Sequence, residues 1–211
     1  MKIIEPSVEL IDDFDAATIM RKLERAGRVC YKSEGNIKVD SAEKFIRGII
    51  KRGHESVIEH ATVSFKIICD RGVTHELVRH RIGASYSQES TRYCDYSAGK
   101  FGGELTFIKP CFWAADDENF KLWSQSMALI EKNYLAMRAN GARPEEARSI
   151  LPNSLKTEIF VTMNLREWRH FLRLRTAPAA HPQMRQIALK IFDTLAEKLP
   201  AVFDNLNCNV Q

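Results

Sequence analysis

The sequence predicts an α+β fold, a mixed or antiparallel sheet flanked by helices. Two runs rich in β-branched and aromatic residues, 61–69 (ATVSFKIIC) and 157–163 (TEIFVTM), read as strands. Most of the remaining chain carries apolar residues at helical spacing. Helices and strands follow each other without a regular βαβ alternation, which disfavours a doubly wound parallel sheet. With 211 residues, 45% of them hydrophobic, the chain is expected to form a single domain over residues 1–211.

Taken in order, residues 12–31 place Ile19, Met20, Leu23 and Val29 at helical spacing, with Ala16, Ala17 and Ala26 between them. Ser41 is the expected N-cap of a second helix, with Phe45, Ile49 and Ile50 on one face. After the strand at 61–69, residues 72–81 return to helical spacing through Leu77 and Val78. A short strand at 105–109 is closed by Pro110, and 118–140 is the longest helical stretch. Pro144 takes a first-turn position in a short helix at 144–151. The strand at 157–163 leads to helices at 165–175 and 184–198, with Pro178 and Pro182 marking the loop between them.

The net charge of +4 fits an anionic ligand without demanding nucleic acid. The cysteines Cys30, Cys69, Cys94, Cys111 and Cys208 are odd in number and scattered, with no CxxC pair, so a reduced, cytoplasmic protein is expected. No apolar run approaches a membrane span and the N-terminus lacks a signal-peptide pattern, so no membrane partner is expected.

Neither GxGxxG after a strand nor GxxxxGK[ST] occurs. The stretch GHESVIEHA gathers His54, Glu55, Glu59 and His60, but HExxH requires histidine where Ile58 stands, and HxxEH requires it where Ser56 stands. No metal is expected there. The six histidines (His54, His60, His75, His80, His170 and His181) all fall in or beside this stretch and the polar segments that follow.

Within LREWRHFLRLR, Leu165, Trp168, Phe171, Leu172 and Arg175 share one helical face, opposite Arg166, Arg169, His170 and Arg173. An apolar stripe therefore ends in an arginine. A buried guanidinium needs an anion or several acceptors. The ordinary alternative is a snorkelling side chain that complements the helix dipole, and the pattern leaves both open. In THELVRHR, Leu77, Val78 and Arg81 lean to one side of the expected helix, and Glu76, Arg79 and His80 to the other. Glu76 and Arg79 fit a plain i,i+3 ion pair. Yet Arg79, Arg81 and Arg92 bracket a loop rich in Ser, Gln and Thr. Arginine forks, hydroxyls and loop amides suit a phosphate. The pattern points to a phosphorylated, heterocyclic ligand held by three separated segments. A nucleic-acid-binding module using a basic RHR helix is the rival reading. Glu55, Glu59, Glu76 and Glu89, set among the same motifs, count against it.

The stretch RHRIGASYSQESTRY resembles the signature of the flavin-dependent thymidylate synthases, the ThyX family. GHESVIEHATVSF, MNLREWRHFLRLR and AAHPQMRQIA are similar to that family's other segments, in the same order, from about residue 50 to the C-terminus. Eight residues separate Arg81 from Ser90, one more than in the family signature, and Gly83-Ala84 is the place of the extra one. The resemblance implies methylation of dUMP to dTMP, with methylenetetrahydrofolate as carbon donor, tightly bound FAD as cofactor and NADPH as reductant. It further implies a homotetramer whose active sites are shared between subunits, and no cysteine nucleophile. Arg175 is implied as the catalytic group, pairing with the uracil ring and favouring its N3-deprotonated form. Glu76, Arg79, Gln88, Glu89, Ser90, Thr91, Arg92 and Arg148 are implied to bind dUMP along with it. His54, Ser56, Glu59, Arg79, His80, Arg81, Asn164, Arg166 and His170 are implied to form the FAD site. No nucleic acid is expected as a partner.

Overall fold

A computed structural model describes residues 1–206 and Cys208 of the chain. Its elements run β1 (Lys2–Ile4), β2 (Ser7–Leu10), α1 (Ala16–Val29), α2 (Ser41–Lys51), a 3₁₀ segment (Glu55–His60), β3 (Thr62–Asp70), α3 (Arg71–Leu77), β4 (Ala84–Gln88), β5 (Thr106–Ile108), α4 (Glu118–Ala139), α5 (Pro144–Ala147), β6 (Lys156–Asn164), α6 (Leu165–Arg175), α7 (Pro182–Lys198) and α8 (Pro200–Phe203). The four-stranded sheet has the order β2-β3-β6-β4. Beside β6, Asn164 N–H donates to the Gly83 carbonyl at 3.0 Å and Glu89 N–H donates to that of Glu158 at 2.8 Å, so β4 and β6 are antiparallel. A separate pair, β1 and β5, is parallel, with Ile3 opposite Phe107. Mixed helix and antiparallel sheet is thus the fold class the sequence predicts.

Three local expectations need correction. Residues 72–81 are not one helix: α3 ends at Leu77 and Arg79, His80 and Arg81 lie beyond it. The chain must turn there to enter β4, and Gly83 takes a left-handed φ of 70° in that turn. The polar stretch that reads as a loop is in part the strand β4, at the end of the sheet order. None of its residues Ala84–Gln88 is buried, so ASYSQ needs no apolar face. Finally, Ser41 is the first residue of α2, and Asp40 holds the N-cap position. The Ser41 hydroxyl instead donates to the Glu24 carboxylate at 2.8 Å, fastening α2 to α1.

The residues divide into two compact units, each drawn from three stretches of chain. One comprises 1–7, 67–79 and 87–159; the other comprises 8–66, 80–86 and 160–211. The first, called unit A here, has a core of Tyr96, Leu105, Phe107, Met127, Tyr134, Ala147 and Leu155. In the second, unit B, α6 buries Leu165, Trp168, Phe171 and Leu172, the stripe anticipated from spacing. Trp168 meets Phe65 edge to face at 5.2 Å and donates its indole N–H to the Val63 carbonyl at 2.9 Å. Among the described residues no helix is long and apolar enough to cross a membrane.

Gly83 also admits the Asn164 side chain: a Cβ there would lie 2.1 Å from Asn164 Nδ2. Gly83→Ala is expected to destabilise the protein by at least about 1 kcal/mol, the cost of a left-handed non-glycine residue, before any contribution from the clash. A urea midpoint equal to that of the unsubstituted chain contradicts this.

Candidate active site

Glu76, Arg79, Gln88, Glu89, Ser90, Thr91, Arg92 and Arg148 fall in unit A. The segment after β4 is held there from beneath. Gln88 Nε2 donates to Thr74 Oγ1 at 3.0 Å and to Thr157 Oγ1 at 3.2 Å. The Glu89 carboxylate accepts from the Tyr96 hydroxyl at 2.6 Å and from Lys156 Nζ at 3.0 Å. Burial, then the Glu89 hydrogen bond, pushes the Tyr96 phenol far above its ordinary range. Glu89 is therefore a fixed strut whose charge is already matched. Thr91 is buried, and its hydroxyl lies 3.4 Å from Arg148 Nη1. Ser90 Oγ accepts the backbone N–H of Arg92 at 3.3 Å, and the Ser90 carbonyl receives those of Tyr93 and Cys94. That tight turn leaves Arg92 on the surface, over the ring of exposed Tyr93 at 5.2 Å. Arg79 and Arg148 are exposed as well. Three guanidinium groups, hydroxyls and backbone amides are an anion-binding set. Downstream, Asp95 accepts two hydrogen bonds from Arg138 of α4, at 3.0 and 2.6 Å.

His54, Ser56, Glu59, His80, Arg81, Asn164, Arg166, His170 and Arg175 fall in unit B. His54 and Ser56 line a cleft of about 520 Å³ with Tyr31, Phe45, Arg52 and Val57. Glu59 pairs with Arg166 at 2.5 Å. Asn164 caps α6, its side-chain oxygen accepting the Glu167 N–H at 2.8 Å. Arg81 and His170 are exposed. His80, by contrast, is 5% exposed, packed against Phe171 at 5.1 Å and His170 at 5.7 Å. Its Nδ1 lies 3.2 Å from Glu167 Oε1, and its Nε2 lies 3.1 Å from Arg175 Nε. Burial lowers the His80 pKa to about 4, with Arg175 and then His170 adding to the shift, so the imidazole is neutral at pH 7. His80, Glu167 and His170 together place three ligand-type atoms within 4.8 Å of one another. The Arg175 guanidinium on the His80 ring opposes a cation there.

Several important residues escape pattern reading. Lys156 reaches Glu89 from 67 residues along the chain, and Tyr96 reaches it from seven. Arg169, placed by spacing on the polar face of α6, is 1% exposed and pairs with Glu55 at 3.1 Å. Glu167 was the most legible of them, because Asn164 and Glu167 have the N-cap and N3 spacing of a capping box. Only the structure shows that its carboxylate turns to His80.

The described residues thus form an α+β fold that exposes Arg79, Arg92 and Arg148 in unit A and holds a neutral histidine between a carboxylate and an arginine in unit B. The family described as thymidylate synthase complementing protein (Thy1) matches residues 9–201. A Pyrococcus furiosus protein named flavin-dependent thymidylate synthase is 41% identical over 163 residues, 77% of this chain and 66% of that protein. A Mycobacterium avium protein of the same name is 36% identical, covering 94% of this chain and 83% of that protein. The chain thus spans about two thirds of the length of the Pyrococcus relative and more of the mycobacterial one. A crystal structure of the UMP/dUMP methylase PolB from Streptomyces cacaoi superposes with a TM-score of 0.78 at 24% identity, covering 97% of this chain and 96% of that one, a likeness of fold. The chain belongs to the ThyX family, the flavin-dependent thymidylate synthases.

The Arg138 hydrogen bonds, then that of Ser97, hold the Asp95 carboxyl well below the usual carboxylate range. Its folded value lies below the unfolded one, so its stabilisation is complete above about pH 4 and is lost as pH falls further. Arg138→Met is expected to destabilise the chain at pH 7 and to flatten the fall in stability between pH 5 and 2, read from urea midpoints. Parallel curves for the two proteins contradict this.

Proposed function

We infer that the chain methylates dUMP to dTMP, taking the carbon from methylenetetrahydrofolate and using FAD, reduced by NADPH, as redox cofactor. The observation that carries this reading is the setting of Arg175. It closes an otherwise buried stripe, half-buried itself, with its Nε against a neutral imidazole. A guanidinium beside a ligand favours the ionised form of an acidic ring N–H such as that of uracil. Family membership over residues 9–201 supports the same assignment.

The residues of unit A supply the remaining recognition. Arg79, Arg92 and Arg148 neutralise a nucleotide phosphate, with Ser90 and the turn amides as further donors. Glu76, Gln88, Glu89 and Thr91 complete the substrate set, Glu89 and Gln88 by holding the loop in shape. In unit B, the cleft of about 520 Å³ offers aromatic and apolar walls at Tyr31, Phe45 and Val57 beside Arg52, His54 and Ser56. Those surfaces fit part of a flavin dinucleotide, with Arg81, Asn164, Arg166 and His170 as polar partners and Glu59 orienting Arg166. When bound, the flavin supplies the hydride chemistry. The chain's own contribution is binding, orientation and charge, and no cysteine attacks the substrate. The assembly is a homotetramer with active sites shared between subunits, each chain forming one catalytic domain in the cytoplasm. The rival nucleic-acid reading loses its particular support, because the segment Arg79–His80–Arg81 lies outside α3.

Turnover of dUMP to dTMP, followed by chromatography with methylenetetrahydrofolate, FAD and NADPH present, tests the reading. Arg175→Ala is expected to lower the rate by at least about 100-fold, as for loss of a charge-stabilising donor, while flavin stays bound. Turnover equal to that of the unsubstituted chain removes Arg175 from the mechanism. Light scattering tests the assembly separately: an active tetramer is expected, and a fully active monomer overturns the shared site.

A further inference from the structure

Glu167 belongs to neither implied set of binding residues, yet it is one of the few buried carboxylates. It is 9% exposed, and burial raises its pKa above the ordinary carboxylate value. Burying a carboxylate is costly unless it is hydrogen-bonded, so its partner identifies its purpose. That partner is His80 Nδ1 at 3.2 Å. On the other side of the ring, Arg175 presents its Nε, which in a guanidinium can only donate, to His80 Nε2 at 3.1 Å. Nε2 must therefore accept, and the one proton of the neutral ring must sit on Nδ1, where it meets the carboxylate. The chain of donors and acceptors runs in one direction: His80 Nδ1–H to Glu167, and Arg175 Nε–H to His80.

One helix carries both outer members of this relay. Glu167 stands in the first turn of α6, its backbone N–H fixed by the Asn164 cap, and Arg175 stands in the last turn of the same helix. His80 is gripped from a third side, because the Tyr86 hydroxyl donates to its carbonyl. Burial, then the charge of Glu167, pushes the Tyr86 phenol up to about 12, so it remains a donor at pH 7.

We propose that Glu167 is a positioning residue for Arg175: acting through His80, it fixes the imidazole tautomer and thereby the plane of the guanidinium. The inference rests on the functional reading of Arg175 and adds to it the group that orients it. Without the carboxylate, the ring proton can move to Nε2, which then points a donor at the Arg175 donor. Behind metal-ligating histidines such a carboxylate contributes about 10- to 100-fold, and a loss at the lower end of that range is expected here.

The test joins a spectroscopic reading to a kinetic one. Long-range ¹H–¹⁵N spectra of ¹⁵N-histidine-labelled protein, with His80 assigned by its loss in His80→Ala, report the tautomer at pH 7 without substrate. The intact chain is expected to show Nδ1–H, and Glu167→Ala a mixed or Nε2–H form with kcat reduced at least about 10-fold. Glu167→Gln keeps an acceptor oxygen and is expected to recover the Nδ1–H form and most of the turnover, which a loss of packing alone would not explain. An Nε2–H ring or an imidazolium in the intact chain overturns the inference, as does Glu167→Ala with unchanged tautomer and turnover. If the intact chain forms no dTMP, the functional reading fails instead, and the tautomer still decides the relay.

Discussion

Burial of one face of α6 is the constraint on which the arrangement of unit B depends. Leu165, Trp168, Phe171 and Leu172 are fully buried, and the Trp168 indole is tied to the Val63 carbonyl. Together these side chains remove several kcal/mol worth of apolar surface from water, at roughly 1.5–3 kcal/mol each. A helix so fixed cannot rotate about its axis or slide. Its polar residues then have no choice of direction: Glu167 lies against His80, and Arg175 lies against the other edge of that ring. The Asn164 cap sets where the helix begins, and Gly83 makes room for Asn164. Geometry that a ligand would use is thus inherited from the packing of a hydrophobic stripe.

The charged residues sort by what they touch. Arg169 is enclosed and paired with Glu55, which also receives Arg173 at 2.7 Å. Glu24 is 1% exposed and receives both Arg28 and the Ser41 hydroxyl. Glu89 is matched by Lys156 and Tyr96. Each of these groups is satisfied within the protein, so breaking one partner leaves an uncompensated buried charge. Arg79, Arg81, Arg92 and Arg148 differ in standing on the surface. A mildly basic chain thus keeps these arginines exposed around its motifs while its interior charges cancel.

The strands β3 and β6 were legible in their β-branched and aromatic residues, and α6 in its apolar stripe at helical spacing. Arg175 was legible as an exception to such a period. The helix expected through Arg81 was not, since Leu77 and Val78 continue the apolar spacing past the point where β4 pairing forces a turn. β4 was hidden because ASYSQ has no apolar alternation, and edge pairing leaves little mark on composition. Arg169 was misplaced because spacing assigns a face but says nothing of what covers it: residues far along the chain, Val202 and Asn205 among them, receive its guanidinium. The motifs named which residues matter, and only tertiary contacts showed which of them are struts.

The central proposal is that the protein binds a flavin and a uridine nucleotide together. The visible absorption spectrum of the purified protein, recorded after gel filtration with FAD and again after adding dUMP, tests it most directly. The account predicts flavin bands that travel with the protein and shift when dUMP is added. Protein that elutes free of flavin after FAD has been supplied, or flavin bands indifferent to dUMP, would contradict it.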